Sequence, residues 1–215
     1  MDADFWHGKW AQNEIGFHES EANPLLVRHF PALGLGDGAR VFVPLCGKTL
    51  DIHWLLDKGH PVVGVELSPL AVEQLFSELG AEPDITSCGR LQRYSVPDLD
   101  VYLGDFFALT AELLGLVDAT YDRAALVALP EPMRGRYAAH LRAITACAPQ
   151  LLICFEYEPH LMPGPPFPIF ADEVARHYRD HYTVSLLSSE EIPGGFKGKI
   201  PAKESVWQLG RGRGS

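Results

Sequence analysis

The sequence predicts one α/β domain: a doubly wound, mostly parallel sheet with helices on both faces. Three observations carry this. Val41-Phe42-Val43 is a short apolar run that breaks at Pro44 and Gly47, gives way to a helical spacing of Leu50, Trp54 and Leu55, and returns after Gly59 to a β-branched run at 62–65 ending on Glu66. Alternating strand and helix patterns then continue to about residue 181 and close on two strands. With 215 residues the chain suffices for one substantial core and is short for two.

Residues 1–39 precede the first strand and are expected to form a helical, aromatic cover, with 40–215 as the core. Phe5, Trp6, Trp10, Ile15 and Phe17 crowd a segment interrupted by Gly8 and Gly16; such rings cap one end of a sheet or line a ligand cleft. Asn23-Pro24 opens a short helix over 25–30, which Pro31 and Gly34, Gly36 and Gly38 end. Ser68-Pro69 supplies an N-cap and a first-turn proline for a helix to about 79. Residues 80–100 are weakly patterned, with a short irregular strand or helix near 90–94. A strand over 101–103 runs into Gly104-Asp105-Phe106-Phe107, a carboxylate and two rings at a strand's carboxyl end. Open α/β sheets bind ligands there, although the same Asp would also cap a helix.

A strand at 119–121 closes on Asp122-Arg123, Pro130-Glu131-Pro132 opens a helix over 133–146, and LLICFE makes a strand at 150–156. The stretch 157–170 has too much proline and glycine for a helix and too much length for a turn, and is expected as a lid or pocket wall. A helix over 171–181 and strands over 182–187 and 204–209 complete a sheet of about seven strands, with a mobile glycine-rich loop at 194–198.

The 18 Lys and Arg against 28 Asp and Glu leave a net charge of −10, which argues against a broad nucleic-acid or anionic-membrane footprint. No run of 18 apolar residues offers a membrane span, and MDADFWHGKW lacks a signal peptide's apolar core. Cys46, Cys88, Cys147 and Cys154 form no C-x-x-C pair and read as reduced thiols of a cytoplasmic protein.

The loop after the first strand admits several readings. Gly47-Lys48-Thr49 resembles the end of a Walker A loop, but Phe42 stands where that motif needs glycine, and the dinucleotide G-x-G-x-x-G is absent. A nucleoside cofactor without pyrophosphate needs one close backbone approach and no phosphate nest, which suits a single glycine. Glu66 follows Gly47 by 19 residues, near the separation of about 20 at which an acid meets a ribose. Plain α/β packing remains the alternative. Elsewhere the motifs fail. His177 and His181 are four apart, but Tyr178 takes the glutamate's place in H-E-x-x-H, so no metal site is expected. No G-x-S-x-G elbow occurs, Cys46 has no recognisable base, and Glu156 and Glu158 project oppositely on a strand.

Five separated motifs in order then resemble the bacterial branch of the thiopurine S-methyltransferase family, over nearly the full length. They are Phe5-Trp6 with Lys9-Trp10 and Gly16-Phe17-His18; Val43-Pro44-Leu45-Cys46-Gly47-Lys48 with Asp51 and Trp54-Leu55; Gly64-Val65-Glu66; Asp122-Arg123-Ala124-Ala125-Leu126; and Pro163-Gly164-Pro165-Pro166-Phe167. The resemblance implies a Rossmann-like class I methyltransferase domain. Its activity would be S-adenosyl-L-methionine-dependent methylation of an aromatic or heterocyclic thiol such as 6-mercaptopurine. Family members are also associated with methylating selenium and tellurium species and so with tellurite resistance.

Carried over by motif, Trp10, Leu45, Gly47 and Glu66 would hold the cofactor, with Glu66 on the ribose hydroxyls. Asp105 and Phe106 would lie near the adenine, and Arg123 near the methionine or acceptor end with an electrostatic role. Phe17, Trp6, Pro165 and Phe167 would face the acceptor. Gly104-Asp105 departs from the Cys-Ser of mammalian relatives. A sulfonium cofactor carries no pyrophosphate, which agrees with the reduced glycine pattern, and in-line displacement on a thiolate needs alignment more than a strong base, so no acid or base is assigned. Arg123 has the alternative of a structural ion pair with Asp122 or another acid. The rivals are a selenium or tellurium oxyanion or other small acceptor, a non-catalytic cofactor-binding protein, and an NAD enzyme. The expected partner is a small thiol or metalloid acceptor, without nucleic acid or membrane, and the expected state is a monomer.

Overall fold

The computed structural model describes residues 3–16 and 18–212. Helix α1 (Ala3–Ala11) runs through Gly8 and turns Trp10 inward. Helix α2 (Pro24–His29) begins where the buried Asn23 side chain accepts N–H bonds from Leu25 and Leu26, with Pro24 in the first turn, where its missing donor has no partner to lose. Strand β1 (Val41–Pro44) is buried throughout, Thr49 caps α3 (Leu50–Asp57), and β2 (Val62–Glu66) is again buried throughout. Ser68 caps α4 (Pro69–Leu79), and Gly80 ends it at φ +64°. There follow β3 (Asp84–Cys88), β4 (Leu91–Val96), β5 (Leu99–Leu103), α5 (Ala111–Leu114), β6 (Ala119–Arg123), α6 (Glu131–Thr145), β7 (Gln150–Glu156), α7 (Ala171–Tyr178), β8 (Tyr182–Glu191) and β9 (Lys203–Arg211).

One sheet takes the order β3-β4-β5-β2-β1-β6-β7-β9-β8. Its five central strands, β5 to β7, are parallel. Burial on both faces explains why β1, β2 and β7 read as nearly continuous apolar runs rather than alternating ones. Side chains still alternate between two cores: Phe42 and Leu152 pack beneath α6 and α7, while Val41, Val43, Leu151 and Ile153 pack with α2, α3 and α4. The chain runs outward from β1 through β2 to β5, then returns to place β6 on the other side of β1. That reversal opens a crevice at the carboxyl ends of β1 and β6, where an open α/β sheet binds its ligand.

The seven expected strands are therefore present, but the sheet has nine. The addition is the antiparallel hairpin β3–β4, which turns at Gly89 (φ +66°) and pairs with β5. Its edge strand, Asp84-Ile85-Thr86-Ser87-Cys88, buries almost nothing, so it carries no apolar alternation by which to read it. The last helix stops at Tyr178 rather than 181, and β8 and β9 run longer than their apolar cores suggested. Among the described residues, no helix is long and apolar enough to cross a membrane.

Asp122 is fully buried between β6, β7 and α6. It accepts the Tyr137 O–H at 2.7 Å, the Leu126 N–H at 3.1 Å and the Gln150 Nε2 at 3.3 Å. Burial pushes its acid up to about 6 despite the Tyr137 and Leu126 bonds. The native carboxyl therefore binds its proton more tightly than the unfolded chain, whose reference value is 3.8. This contribution to stability is full below 3.8 and is lost as pH rises towards about 6. Asp122→Asn is expected to flatten the fall in thermal stability across that window, measured by unfolding at a series of pH values. An identical slope in both proteins would contradict the account.

Candidate functional site

A cavity of about 520 Å³ occupies the crevice at the carboxyl ends of the central strands, a size suited to a small molecule. The loop after β1 and the end of β2 floor it, α1 covers it with Trp6 and Trp10, and Arg123 closes one end. Pro163 to Pro166 and the β8–β9 loop, through Ile192 and Phe196, form the far walls.

The floor is a tight turn. Leu45 takes φ +47° and Gly47 φ +54°, and the Cys46 N–H donates to the Val65 carbonyl at 3.0 Å. Glycine is required at 47 on two grounds: the left-handed backbone, and a Cβ that would stand 3.1 Å from Trp10 Cζ2. A second close approach lies beneath, where a Cβ at Gly64 would meet the Cys46 Sγ at 2.7 Å. Cys46 is buried on this glycine, and burial raises its thiol well above the ordinary range. It packs the floor and offers no nucleophile.

Glu66 joins the two halves of the floor. One carboxylate oxygen accepts the Gly47 N–H at 2.8 Å and the other accepts the Ser68 N–H at 2.8 Å. The residue is only 6% exposed. Burial raises its acid, and the Ser68 and Gly47 amides oppose that shift by bonding the charged form. Each oxygen keeps a further lone pair, so the carboxylate can still accept hydroxyls from a vicinal diol.

Asp51, 1% exposed, ties three segments together: its oxygens accept the Asn23 N–H at 2.7 Å and the Tyr121 O–H at 2.9 Å. Arg123 pairs with Glu19 at 2.5 Å and not with Asp122. Adjacent residues on a strand point to opposite faces, so Asp122 faces α6 while Arg123 faces the cavity. Burial raises the Glu19 acid and Arg123 lowers it, while burial and then Lys48 make the His18 imidazole less basic.

Trp6, Trp10, Leu45, Gly47, Glu66, Arg123 and Pro165 thus line one cavity. Three expected contacts do not. Asp105 is exposed and spends one oxygen capping its own turn, on the Phe107 N–H at 3.0 Å. Phe106 is 2% exposed because its ring packs into the core against Tyr137, centroids 4.9 Å apart. Phe167 lies behind the proline wall, where the Arg134 guanidinium stands 5.4 Å from its ring. Its N–H donates to the Val127 carbonyl and the Tyr157 O–H donates to the Pro166 carbonyl, both at 2.6 Å, so the segment is a fixed wall. Phe17 lies outside the described residues.

Sequence reasoning missed Glu19, Tyr121, Ile192, Phe196 and Glu204 as cavity residues. For Phe196 a signal existed: an aromatic inside a glycine-rich loop, which pairs with the Phe155 ring at 5.1 Å. Among the described residues no group of three or more His, Cys, Asp or Glu is placed to hold a metal.

A family model, thiopurine S-methyltransferase, matches residues 1–209. Over 212 residues the chain is 55% identical to a thiopurine S-methyltransferase of Xanthobacter autotrophicus, covering 98% of this chain and 100% of that one. Over 211 residues it is 48% identical to the enzyme of that name from Teredinibacter turnerae, covering 98% of each. A solved structure of Burkholderia thailandensis 1,6-didemethyltoxoflavin-N1-methyltransferase, with bound 1,6-didemethyltoxoflavin and S-adenosylhomocysteine, is similar at a TM-score of 0.64. It covers 97% of this chain and 87% of that one at 17% identity, a likeness of fold.

Gly64→Ala is expected to cost about 1–3 kcal/mol by overpacking the floor. Adding Cys46→Ala, which removes the clashing sulfur, should recover most of it. Urea unfolding of the two single variants and the double variant checks this, and purely additive losses would contradict it.

Proposed function

The chain belongs to the thiopurine S-methyltransferase family, and from that premise we propose that it transfers the methyl group of S-adenosyl-L-methionine to the sulfur of an aromatic or heterocyclic thiol. The observation that carries this reading is the Glu66 carboxylate. It is buried at the switch point of the sheet, fixed by two amides, and keeps lone pairs for a ribose diol. The single glycine of the loop beside it, Gly47, suits a nucleoside without pyrophosphate.

When bound, the cofactor supplies an electrophilic methyl group on a sulfonium sulfur. The work of the chain is binding, orientation and exclusion of water. Glu66 holds the ribose, while Gly47 lets the floor approach closely enough for Trp10 to close over it. The adenine would extend past Leu67 towards the Asp105 turn, a placement supported by the Gly104 N–H bond to the Glu66 carbonyl at 2.8 Å, which keeps that turn beside β2. Trp6 and Pro165 would offer faces to a planar acceptor. Arg123 would counter the charge of a thiolate from within the cavity, with Glu19 holding the guanidinium in place.

Residues 1–39 would act as the cover and 40–215 as the methyltransferase core. We further propose that the enzyme works as a cytoplasmic monomer on a small molecule. Its free cysteines, two of them buried, and its net acidity support that setting.

Glu66→Gln turns one acceptor oxygen into a donor that must face an amide N–H. Its affinity for S-adenosylhomocysteine, measured by calorimetry, is expected to fall at least about tenfold, roughly 1.4 kcal/mol. Unchanged affinity would remove Glu66 from the ribose site.

A further inference from the structure

Five carboxylates line the cavity: Glu14, Glu19, Asp51, Glu66 and Glu204. Four are engaged. Glu14 pairs with Lys9, Glu19 with Arg123, Asp51 accepts the Asn23 N–H and the Tyr121 O–H, and Glu66 accepts two amides. Glu204 is different. Among the described residues its side chain accepts no hydrogen bond and joins no ion pair.

Its position is also unfavourable for a residue with only a structural role. In the sheet register Glu204 lies between Phe155 on β7, which lines the cavity, and Glu190 on β8. Like charges directly opposite across strands repel, and Glu190 is already paired with Arg28. The charged groups around Glu204 are Arg123 on β6, Glu19 of the N-terminal segment and Glu190. Burial, Glu19 and Glu190 push its acid upward and Arg123 pulls it down, with a net rise.

We propose that Glu204 accepts the proton of the incoming thiol, a role that rests on the methyl-transfer reading above. Its carboxylate oxygen takes the S–H proton, and the electron pair left on sulfur forms the new bond to the methyl carbon. The old carbon–sulfur bond breaks at the same moment, and its pair stays on the departing sulfur, which loses its positive charge. The proton then passes from Glu204 to water at the cavity mouth, so one thiol and one sulfonium yield two thioethers and one proton.

A carboxylate raised towards the working pH is a better acceptor than an ordinary one. The alternatives in the cavity are poorer. His18 is made less basic by its burial and by Lys48, and Glu19 is committed to Arg123. Arg123 stands near enough to Glu204 to influence it electrostatically, so the same guanidinium would counter the thiolate charge as the proton leaves.

The test is Glu204→Gln assayed against ring-substituted thiophenols and heteroaryl thiols whose own pKa values run from below to above the assay pH. For acceptors still protonated in solution, kcat/KM is expected to fall by about 10²-fold. For acceptors already ionised it should stay within about twofold, and Glu204→Asp should restore part of the loss. Unchanged binding of S-adenosylhomocysteine verifies the fold. A uniform loss across the series, no loss at all, or a selective loss seen in His18→Gln but not in Glu204→Gln would overturn the assignment. A wild-type protein that methylates none of these thiols would instead remove the underlying reading, and the proposal with it.

Discussion

The Glu66 carboxylate, held between the Gly47 and Ser68 amides, is the interaction on which the rest of the site depends. An ionised carboxyl taken out of water is strongly unfavourable unless hydrogen bonds replace the lost hydration, and two charge-assisted bonds of about 1.5–3 kcal/mol each serve that purpose here. The same bonds fix the geometry of the crevice, because one amide belongs to the loop after β1 and the other to the start of α4. Leu45 and Gly47 then take left-handed backbone, Gly64 makes room for Cys46, and Trp10 comes down on Gly47. Each small-residue requirement in the floor follows from holding that loop against that acid.

A second buried carboxylate, Asp51, ties the segment before β1 to the sheet. Asn23 caps α2 with its side chain while its own N–H goes to Asp51, and Asp51 also receives the Tyr121 hydroxyl from β6. Arg123, with 8% of its side chain exposed, reaches back to Glu19 in the N-terminal segment. The Asp51 links are buried, whereas the Glu19 end of the Arg123 pair is partly exposed. The Lys9–Glu14 pair, from α1 to the turn after it, is partly exposed at both ends and adds little by comparison. The proline wall is held by the Phe167 N–H, which donates to the Val127 carbonyl, and by the Tyr157 hydroxyl, which donates to the Pro166 carbonyl. The cavity is thus lined by this proline segment and by the β8–β9 loop.

Much of this was legible in the sequence because the physics is local. A β-branched run ending in an acid 19 residues after a lone glycine defines a strand, a loop and a ribose candidate without tertiary information. Ser68-Pro69 and Asn23-Pro24 declare helix starts in the same way. Strand β3 was not legible, since an exposed edge strand has no buried face to impose alternation, and its partner β4 showed only as a short strand or helix near 90–94. Phe106 and Phe167 were placed at the site by motif, whereas a ring's direction is set by its tertiary neighbours: the Tyr137 core for Phe106, and Arg134 and the Gly164 backbone for Phe167. Glu204 was missed because nothing within a strand reading such as Lys203-Glu204-Ser205 distinguishes a solvent-facing acid from one turned over a cavity. That depends on β9 lying next to β7, a pairing between distant segments.

The central claim is that the crevice delivers a methyl group to sulfur. The direct measurement is to incubate the protein with methyl-labelled S-adenosyl-L-methionine and, separately, thiopurines, thiophenols, selenite and tellurite, and to identify the labelled products by mass spectrometry. The account predicts labelled methyl thioethers from the aromatic and heterocyclic thiols, with equal amounts of S-adenosylhomocysteine. Absence of any methyl thioether, or label found only on selenium or tellurium, would contradict it.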